Sequence, residues 1–212
     1  MSNRIDYLGK LPSSVYLACS GGADSMAILD FLIKGGRDVI VLHFNHGTNH
    51  GAEAETFVKE YCENNSIEIR VGQVSNPKAS GESPEEYWRN ERYSFLSEFV
   101  DRKIIMVHHL GDQVENWLFT SIRNGNPTLI PYKRCSVDAV IIRPFLITKK
   151  EVFESWCERK KVPYVVDPSN FSDKYARSYI RKELVPRAMK INPGIHKLIK
   201  KKVKREFDFP KN

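Results

Sequence analysis

Three short stretches of this 212-residue chain combine residue types that can do chemistry: Ser20-Gly21-Gly22-Ala23-Asp24-Ser25, His43-Phe44-Asn45-His46, and His108-His109-Leu110-Gly111-Asp112-Gln113-Val114-Glu115. In the first, two glycines permit positive φ angles and let an anion approach the backbone amides closely. Ser20 and Ser25 add hydroxyl donors, and Asp24 offers a carboxylate that can share Mg²⁺ with phosphate oxygens. The stretch stands between the apolar runs Val15-Tyr16-Leu17-Ala18 and Met26-Ala27-Ile28-Leu29. It therefore reads as a strand, a sharp turn and a helix start, where free N–H groups of the first helical turn face an anion. A ligand-free βα turn with a serine or aspartate cap has the same outline. Ser-Gly-Gly-x-Asp-Ser is a narrower pattern than such a turn needs, and it is neither a Walker A loop nor the Gly-x-Gly-x-x-Gly of dinucleotide folds.

The second stretch closes a strand. His46 and His50 stand four apart, but Gly47 and Thr48 break the helix that would align them and no cysteine is near, which disfavours zinc. Asn45 and His46 are instead candidates for hydrogen bonds to a nucleotide, with a plain polar turn as the alternative. In the third stretch, Asp112 and Glu115 are three apart at a helix start and so share a face. They can answer the helix dipole, hold an ammonium group and accept its proton, or hold Mg²⁺; the spacing does not separate these roles. Arg89 and Arg92 follow Glu85-Glu86, so an internal ion-pair network and ligand contact both fit, and Arg123 is open in the same way. Arg177, Arg181 and Arg187 have few acids near them in sequence, which favours phosphate contact.

A formal net charge of +7 favours a polyanionic partner. Lys197, Lys200, Lys201, Lys202, Lys204 and Arg205 concentrate that charge near the C-terminus. The four cysteines form no Cys-x-x-Cys pair, so neither a zinc ribbon nor an iron–sulfur cluster is indicated. No apolar run reaches the length of a membrane span and the opening residues have no leader-like core, so a cytoplasmic protein without membrane contact is expected.

The elements that must position these residues alternate. Apolar runs at 15–18, 39–44, 67–74 and 103–108 are separated by helical patterns, which predicts repeated βαβ units and a parallel, doubly wound α/β sheet. Ligands of such sheets gather at the carboxyl ends of the strands, where all three stretches fall. A helix over 113–121, a short strand at 140–143, a helix over 149–160, an extended run at 164–166, a helical pattern from 175 to 184 and a basic amphipathic helix from about 194 to 205 complete the reading. Residues 1–145 are assigned to a nucleotide-binding α/β domain and 146–212 to a helical, basic C-terminal extension.

The stretches Ser20 to Ser25, His43 to Gly47, Glu85 to Tyr93 and His108 to Glu115 are followed by Arg123 with Gly125, Arg143-Pro144-Phe145-Leu146, and Asp167-Pro168-Ser169-Asn170 with Tyr175, Arg177, Arg181 and Pro186. In that order, over about residues 14–193, they resemble the tRNA(Ile)-lysidine synthetase family, a branch of the PP-loop ATP pyrophosphatases. The resemblance implies a ligase forming carbon–nitrogen bonds. ATP with Mg²⁺ would sit on Ser20, Gly21, Gly22, Ala23, Asp24 and Ser25, with Asn45 and His46 nearby and Asp24 as the metal's carboxylate. The wobble cytidine of tRNA(Ile) with a CAU anticodon would be adenylated, and free L-lysine would displace AMP. Asp24, Asp112 and Glu115 would be catalytic, with Arg89 joining Asp112 and Glu115 around lysine. Arg123, Arg177, Arg181, Arg187, Lys200, Lys201 and Lys202 would face tRNA. A PP-loop tRNA thiolase and a non-catalytic tRNA-binding relative are the alternatives; the missing Cys-x-x-Cys pairs argue against the first. The chain departs from the pattern at Gly111, where the family carries aspartate, and at Asn116, Asn124 and Ser178. It also stops soon after Pro193, where many relatives carry further tRNA-binding domains; the basic final helix or a homodimer would be ways to compensate.

Overall fold

The computed structural model describes residues 4–78, 80–136, 139–166 and 176–209. The elements run β1 (Ser14–Ala18), α1 (Ala23–Lys34), β2 (Asp38–Asn45), α2 (Asn49–Asn64), β3 (Ile69–Gln73), α3 (Pro84–Ser97), β4 (Ile104–Met106), α4 (Leu110–Asn124), β5 (Lys133–Ser136), β6 (Ala139–Ile142) and α5 (Lys150–Lys160). A helical arm follows, made of α6 (Ala176–Tyr179), a π-helical turn (Ile180–Leu184), α7 (Val185–Ile191) and α8 (Ile195–Asp208). The six strands form one sheet in the order β3-β2-β1-β4-β6-β5, parallel except where β5 runs against β6.

Period-two alternation divides the core. Val15, Leu17, Val39 and Val41 point to one face, where they meet Met26, Ile28 and Leu29 of α1, Val58 of α2 and Phe153 of α5. Tyr16, Ile40, Leu42 and Ile104 point to the other and meet Leu96 of α3. Helices on both faces explain why the strands read as continuous apolar runs. A third cluster joins Leu110 and Val114 of α4 to Ile195, Ile199 and Val203 of α8. Leu198, one residue from Ile199 on α8, stands 43% exposed.

The chain winds from β1 outward to β3, then crosses back to place β4 on the other side of β1. The strand order thus reverses between β1 and β4, and this is where a doubly wound sheet opens a crevice at its carboxyl edge. The loops after these two strands begin at Cys19 and Val107.

Several elements differ from the sequence expectations. Residues 164–166 are extended but outside the sheet; the Val165 N–H donates to the Gly21 carbonyl at 3.0 Å, pinning the segment against the loop after β1. Helix α4 begins at Leu110, not Gln113, and ends at Gly125, whose φ of 64° makes it a left-handed C-cap. Strand β5 carries Lys133 and Arg134 and lies at the sheet edge, so its charge hides it from an apolar pattern. The π turn falls just before Pro186, which has no N–H to donate and whose ring crowds the Lys182 carbonyl, so the α ladder widens there. The sequence block Asp167-Pro168-Ser169-Asn170 with Tyr175 lies outside the described residues.

Candidate functional site

The loop after β1 is shaped for glycine at two levels. Gly21 has φ 83°, and a Cβ there would stand 3.1 Å from Cγ2 of both Val165 and Val58. Gly22 is the N-cap of α1 and supplies no side-chain cap, which leaves first-turn amides free for an anion. The Ser25 hydroxyl donates to the Gly22 carbonyl at 3.0 Å, and the Ser20 hydroxyl stands 3.4 Å from both the Gly22 N–H and the Ser25 hydroxyl. Asp24 sits in the same turn, with Oδ1 buried and making no hydrogen bond. Burial pushes its carboxyl above the ordinary value; His109 opposes the rise and Asp112 adds to it. An unsatisfied carboxylate oxygen beside an anion site fits Mg²⁺, which takes one or two carboxylates and completes its shell with phosphate oxygens and water. No group of three or more His, Cys, Asp or Glu side chains among the described residues can hold a metal by itself.

Across the crevice, α4 opens on a capping box. The His109 N–H donates to Asp112 Oδ2 at 2.8 Å, and the Asp112 N–H donates to His109 Nδ1 at 3.1 Å. His109 Nε2 reaches to 3.8 Å from Asp24 Oδ2, so the ring links the first turns of α1 and α4. One turn on, Arg181 clasps Glu115 with two hydrogen bonds of 2.6 and 3.0 Å and stands 3.9 Å from Asp112 Oδ1. Such a bidentate pair is strong and directional. Arg177 reaches Asn116 Oδ1 at 3.4 Å, so the helical arm is tied to α4 at two points. Gln113, fully buried, exchanges hydrogen bonds of 2.8 Å with the backbone of Ile130 and fixes the segment before β5 against α4.

Two hollows open at this edge of the sheet. The smaller, about 190 Å³, is lined by Ser20, Asp24, Ser25, Cys19, Phe44 and Met106 among others. The larger, about 800 Å³, is lined by Arg89, Arg92, Arg123, Arg134, Arg143 and Arg177, with Glu86 the one carboxylate residue on its walls among the described residues. His46, Arg92 and His108 line both. Tyr93 stands at the centre of the arginines: Arg143 donates to its hydroxyl at 3.0 Å, and the guanidiniums of Arg134, Arg89 and Arg92 lie 4.5, 5.6 and 5.9 Å from its ring centre. Burial raises the Tyr93 phenol's pKa, but Arg143, Arg92 and Arg134 outweigh it and the net shift is downward. Arg123 and Arg177 lie over the Phe119 ring at 5.5 and 5.2 Å. Nε of Arg92, Nε of Arg143 and Nδ1 of His108 are buried without hydrogen bonds, and burial pulls the basicity of all three groups down, that of His108 to about 4. Arginines cannot be deprotonated under these conditions, so the larger hollow is an electropositive cleft with stacking surfaces.

Residues 3–188 match the model of the PP-loop domain family. The chain belongs to the PP-loop family. Among curated proteins it is similar to the tRNA(Ile)-lysidine synthase of Pseudothermotoga lettingae, 34% identical over 193 residues that are 85% of this chain and 43% of that protein. It is also similar to the enzyme of that name from Thermotoga maritima, 33% identical over 196 residues, 85% of this chain and 46% of that protein. The chain thus spans a little under half the length of these relatives. Among solved structures, the U34-tRNA thiolase NcsA of Methanococcus maripaludis superposes with a TM-score of 0.72 at 15% identity, covering 93% of this chain and 72% of that one. At that identity the likeness speaks for the fold alone.

In this PP-loop protein the expected residues fall into three groups. Ser20, Asp24 and Ser25 of the loop line the smaller hollow together with His46, while His109 stands between Asp24 and Asp112 and Arg181 pairs with Asp112 and Glu115. Neither Asp112 nor Glu115 lines either of these two hollows; Glu115 is held by Arg181. Asn45 uses its amide within the protein, accepting from the Gly47 N–H at 2.8 Å and donating to Glu55 at 2.8 Å. Arg89, Arg123 and Arg177 line the cleft, while Arg187 pairs with Glu183 at 2.9 Å and Lys200 with Asp6 at 2.9 Å. Lys201 and Lys202 are exposed. Sequence reading missed the roles of His109, Arg134, Tyr93 and Phe119. No spacing marks the last three, which come from β5, α3 and α4; for His109, a histidine three residues before Asp112 at a helix start was the available signal. No helix among the described residues is long and apolar enough to cross a membrane.

Proposed function

We propose that this chain carries the catalytic domain of a tRNA(Ile)-lysidine synthetase. ATP binds in the smaller hollow, and the anticodon of tRNA(Ile) lies in the arginine cleft. The C2 oxygen of the wobble cytidine is adenylated with release of pyrophosphate, and the ε-amine of free L-lysine then displaces AMP. The observation that carries this reading is that the two hollows adjoin and share His46, Arg92 and His108 in their walls. A phosphate-binding loop beside an electropositive cleft with aromatic faces suits a nucleotide and single-stranded RNA meeting at one point. Similarity to lysidine synthases supports lysine as the nucleophile.

In this mechanism the amides at the start of α1 and the hydroxyls of Ser20 and Ser25 hold the leaving pyrophosphate, where preorganised donors lower the barrier most. Mg²⁺, when bound at Asp24, supplies neutralising charge to the phosphates. Arg92, on the wall shared by both hollows, is placed to balance the phosphoryl charge as it passes to the RNA. Lysine's amine, with an ordinary pKa of about 10.4, must lose a proton before it attacks. Asp112 and Glu115 are the carboxylates for that task, and the incoming ammonium takes over the place that Arg181 holds. Cys19, the thiol on the smaller hollow, is pushed upward in pKa by burial, the opposite of what sulfur delivery asks of a thiolate.

The test combines ATP, Mg²⁺, radiolabelled lysine and tRNA(Ile) with a CAU anticodon, following AMP and label together. Equal yields of AMP and labelled tRNA are expected. AMP with unlabelled tRNA would transfer the activity to another nucleophile, and neither product would sink the proposal.

A further inference from the structure

We infer that His109 is a positioning residue for Asp24, and that a side chain at position 111 would crowd the His109 ring out of the place it holds here. The inference rests on the reading of Asp24 as the carboxylate of the ATP·Mg²⁺ site.

Three observations converge on it. The His109 ring is 6% exposed and its Nδ1 accepts the Asp112 N–H, so a neutral ring keeps its proton on Nε2. That N–H faces Asp24 Oδ2 across 3.8 Å, close enough to orient the carboxylate through charge and dipole although not a hydrogen bond. The other oxygen, Oδ1, is the buried one without a hydrogen bond, so the ring holds one side of the carboxylate and leaves the opposite side for a cation. Gly111 completes the arrangement. A Cβ at 111 would lie 2.8 Å from His109 Cε1 and 2.9 Å from Nδ1, and the ring would have to leave. A group that orients a metal-binding carboxylate without touching the metal commonly sets the affinity as strongly as some direct ligands do.

The capping role and the positioning role can be separated. His109→Asn keeps a short polar N-cap for α4, since asparagine is among the best caps, but cannot span the distance to Asp24. Gly111→Ala leaves the histidine and displaces its ring. Melting temperature is measured with and without ATP over a Mg²⁺ titration, and AMP release is measured over the same titration. For His109→Asn we expect ligand-free melting close to wild type, for Gly111→Ala the modest fall of a lost N-cap, and for both a half-saturating Mg²⁺ concentration raised by about tenfold or more in both readouts. Saturating Mg²⁺ should recover much of the lost turnover. A wild-type Mg²⁺ response in His109→Asn would overturn the inference and leave His109 as a cap alone. Unfolding of both variants would also overturn it, because the ring's service would then be structural. If the wild-type protein itself shows no stabilisation by ATP·Mg²⁺, the reading of the loop fails, an outcome distinct from the other two.

Discussion

The two hollows at the carboxyl edge of the sheet are both built for anions and do it by opposite means. The smaller uses backbone: one continuous loop, a helix start without a side-chain cap, two hydroxyls and the carboxylate of Asp24. The larger uses side chains: six guanidiniums from segments spread between residues 89 and 177, arranged round Tyr93 and Phe119. A backbone site is rigid and selects a compact anion in one pose. A field of arginines over aromatic faces accepts an extended polyanion in many poses and takes its precision from whatever else is bound beside it. Under the proposed function, the nucleotide hollow fixes the reaction coordinate and the cleft recruits and aligns the RNA, the two meeting at Arg92 and His108.

The largest predicted effect breaks the two apart. Asp24→Ala should abolish AMP release, by roughly a thousandfold or more for the loss of the metal carboxylate at the phosphates. Affinity for tRNA should stay within a factor of about two, because Asp24 does not line the cleft and carries no positive charge. Filter binding and AMP release on the same preparation decide it. If affinity falls together with turnover, the hollows are one site and the contrast between them is wrong.

How much of this was legible follows from the same contrast. The loop is contiguous, so its glycine φ demand, its hydroxyls and its carboxylate are written within six residues, and the strand and helix around it carry strong apolar periods. The sheet class followed from alternation. The cleft is not contiguous. Arg89 and Arg92 come from α3, Arg134 from the charged edge strand β5 and Arg143 from beyond β6, and they converge only because β4 and β6 lie side by side in the sheet order. Counting local acids has the same blindness. The scarcity of acids around Arg181 points to phosphate, yet its partner Glu115 comes from 66 residues away in the chain. Arg187, by contrast, has Glu183 four residues before it, a pair visible in sequence. The π turn was hidden too, because helical periodicity cannot distinguish it from the α-helix it interrupts.

The next effect probes the wall between the hollows. Burial lowers the His108 pKa from 6.5 to about 4. The unfolded chain therefore takes up the proton first as pH falls. The stability associated with the neutral ring is complete above pH 6.5 and is lost progressively down to about pH 4, by up to about 3 kcal/mol over that window. His108→Asn should remove this part of the acid sensitivity, so the difference in unfolding free energy between wild type and variant should shrink as pH falls from 7 to 4. His43, also held low by burial, remains in both proteins and cancels. Parallel stability curves would mean that the wall is wet and that the two hollows are less separate than their linings suggest.

A smaller effect sharpens the cleft itself. Arg134 is exposed and touches the rest of the protein mainly through the Tyr93 ring at 4.5 Å, so Arg134→Ala should cost no more than about 1 kcal/mol of stability. It should weaken tRNA binding by roughly five- to tenfold and lower the salt dependence by about one phosphate contact. Stabilisation by ATP·Mg²⁺ should not change. Unaltered affinity at low salt would remove β5 from the RNA surface.

The smallest effect belongs to α8, where three adjacent lysines differ. Lys200 is half-buried and bound to Asp6, so Lys200→Gln should act on stability, by at most about 1 kcal/mol for a largely surface pair, with little change in RNA affinity. Lys201 and Lys202 are exposed on the face away from the Ile195, Ile199 and Val203 cluster, and replacing each by glutamine should lower tRNA affinity by about twofold without moving the melting temperature. Arg134 and these lysines differ in a way the salt titration can read. A guanidinium in the cleft should affect affinity and AMP release together, because it aligns the RNA at the reacting nucleotide. Lysines on α8 should affect affinity alone, with AMP release from bound tRNA unchanged, because they add long-range attraction and no alignment. If Lys201→Gln slows AMP release at saturating tRNA, α8 takes part in positioning and the electropositive surface that matters extends past the cleft.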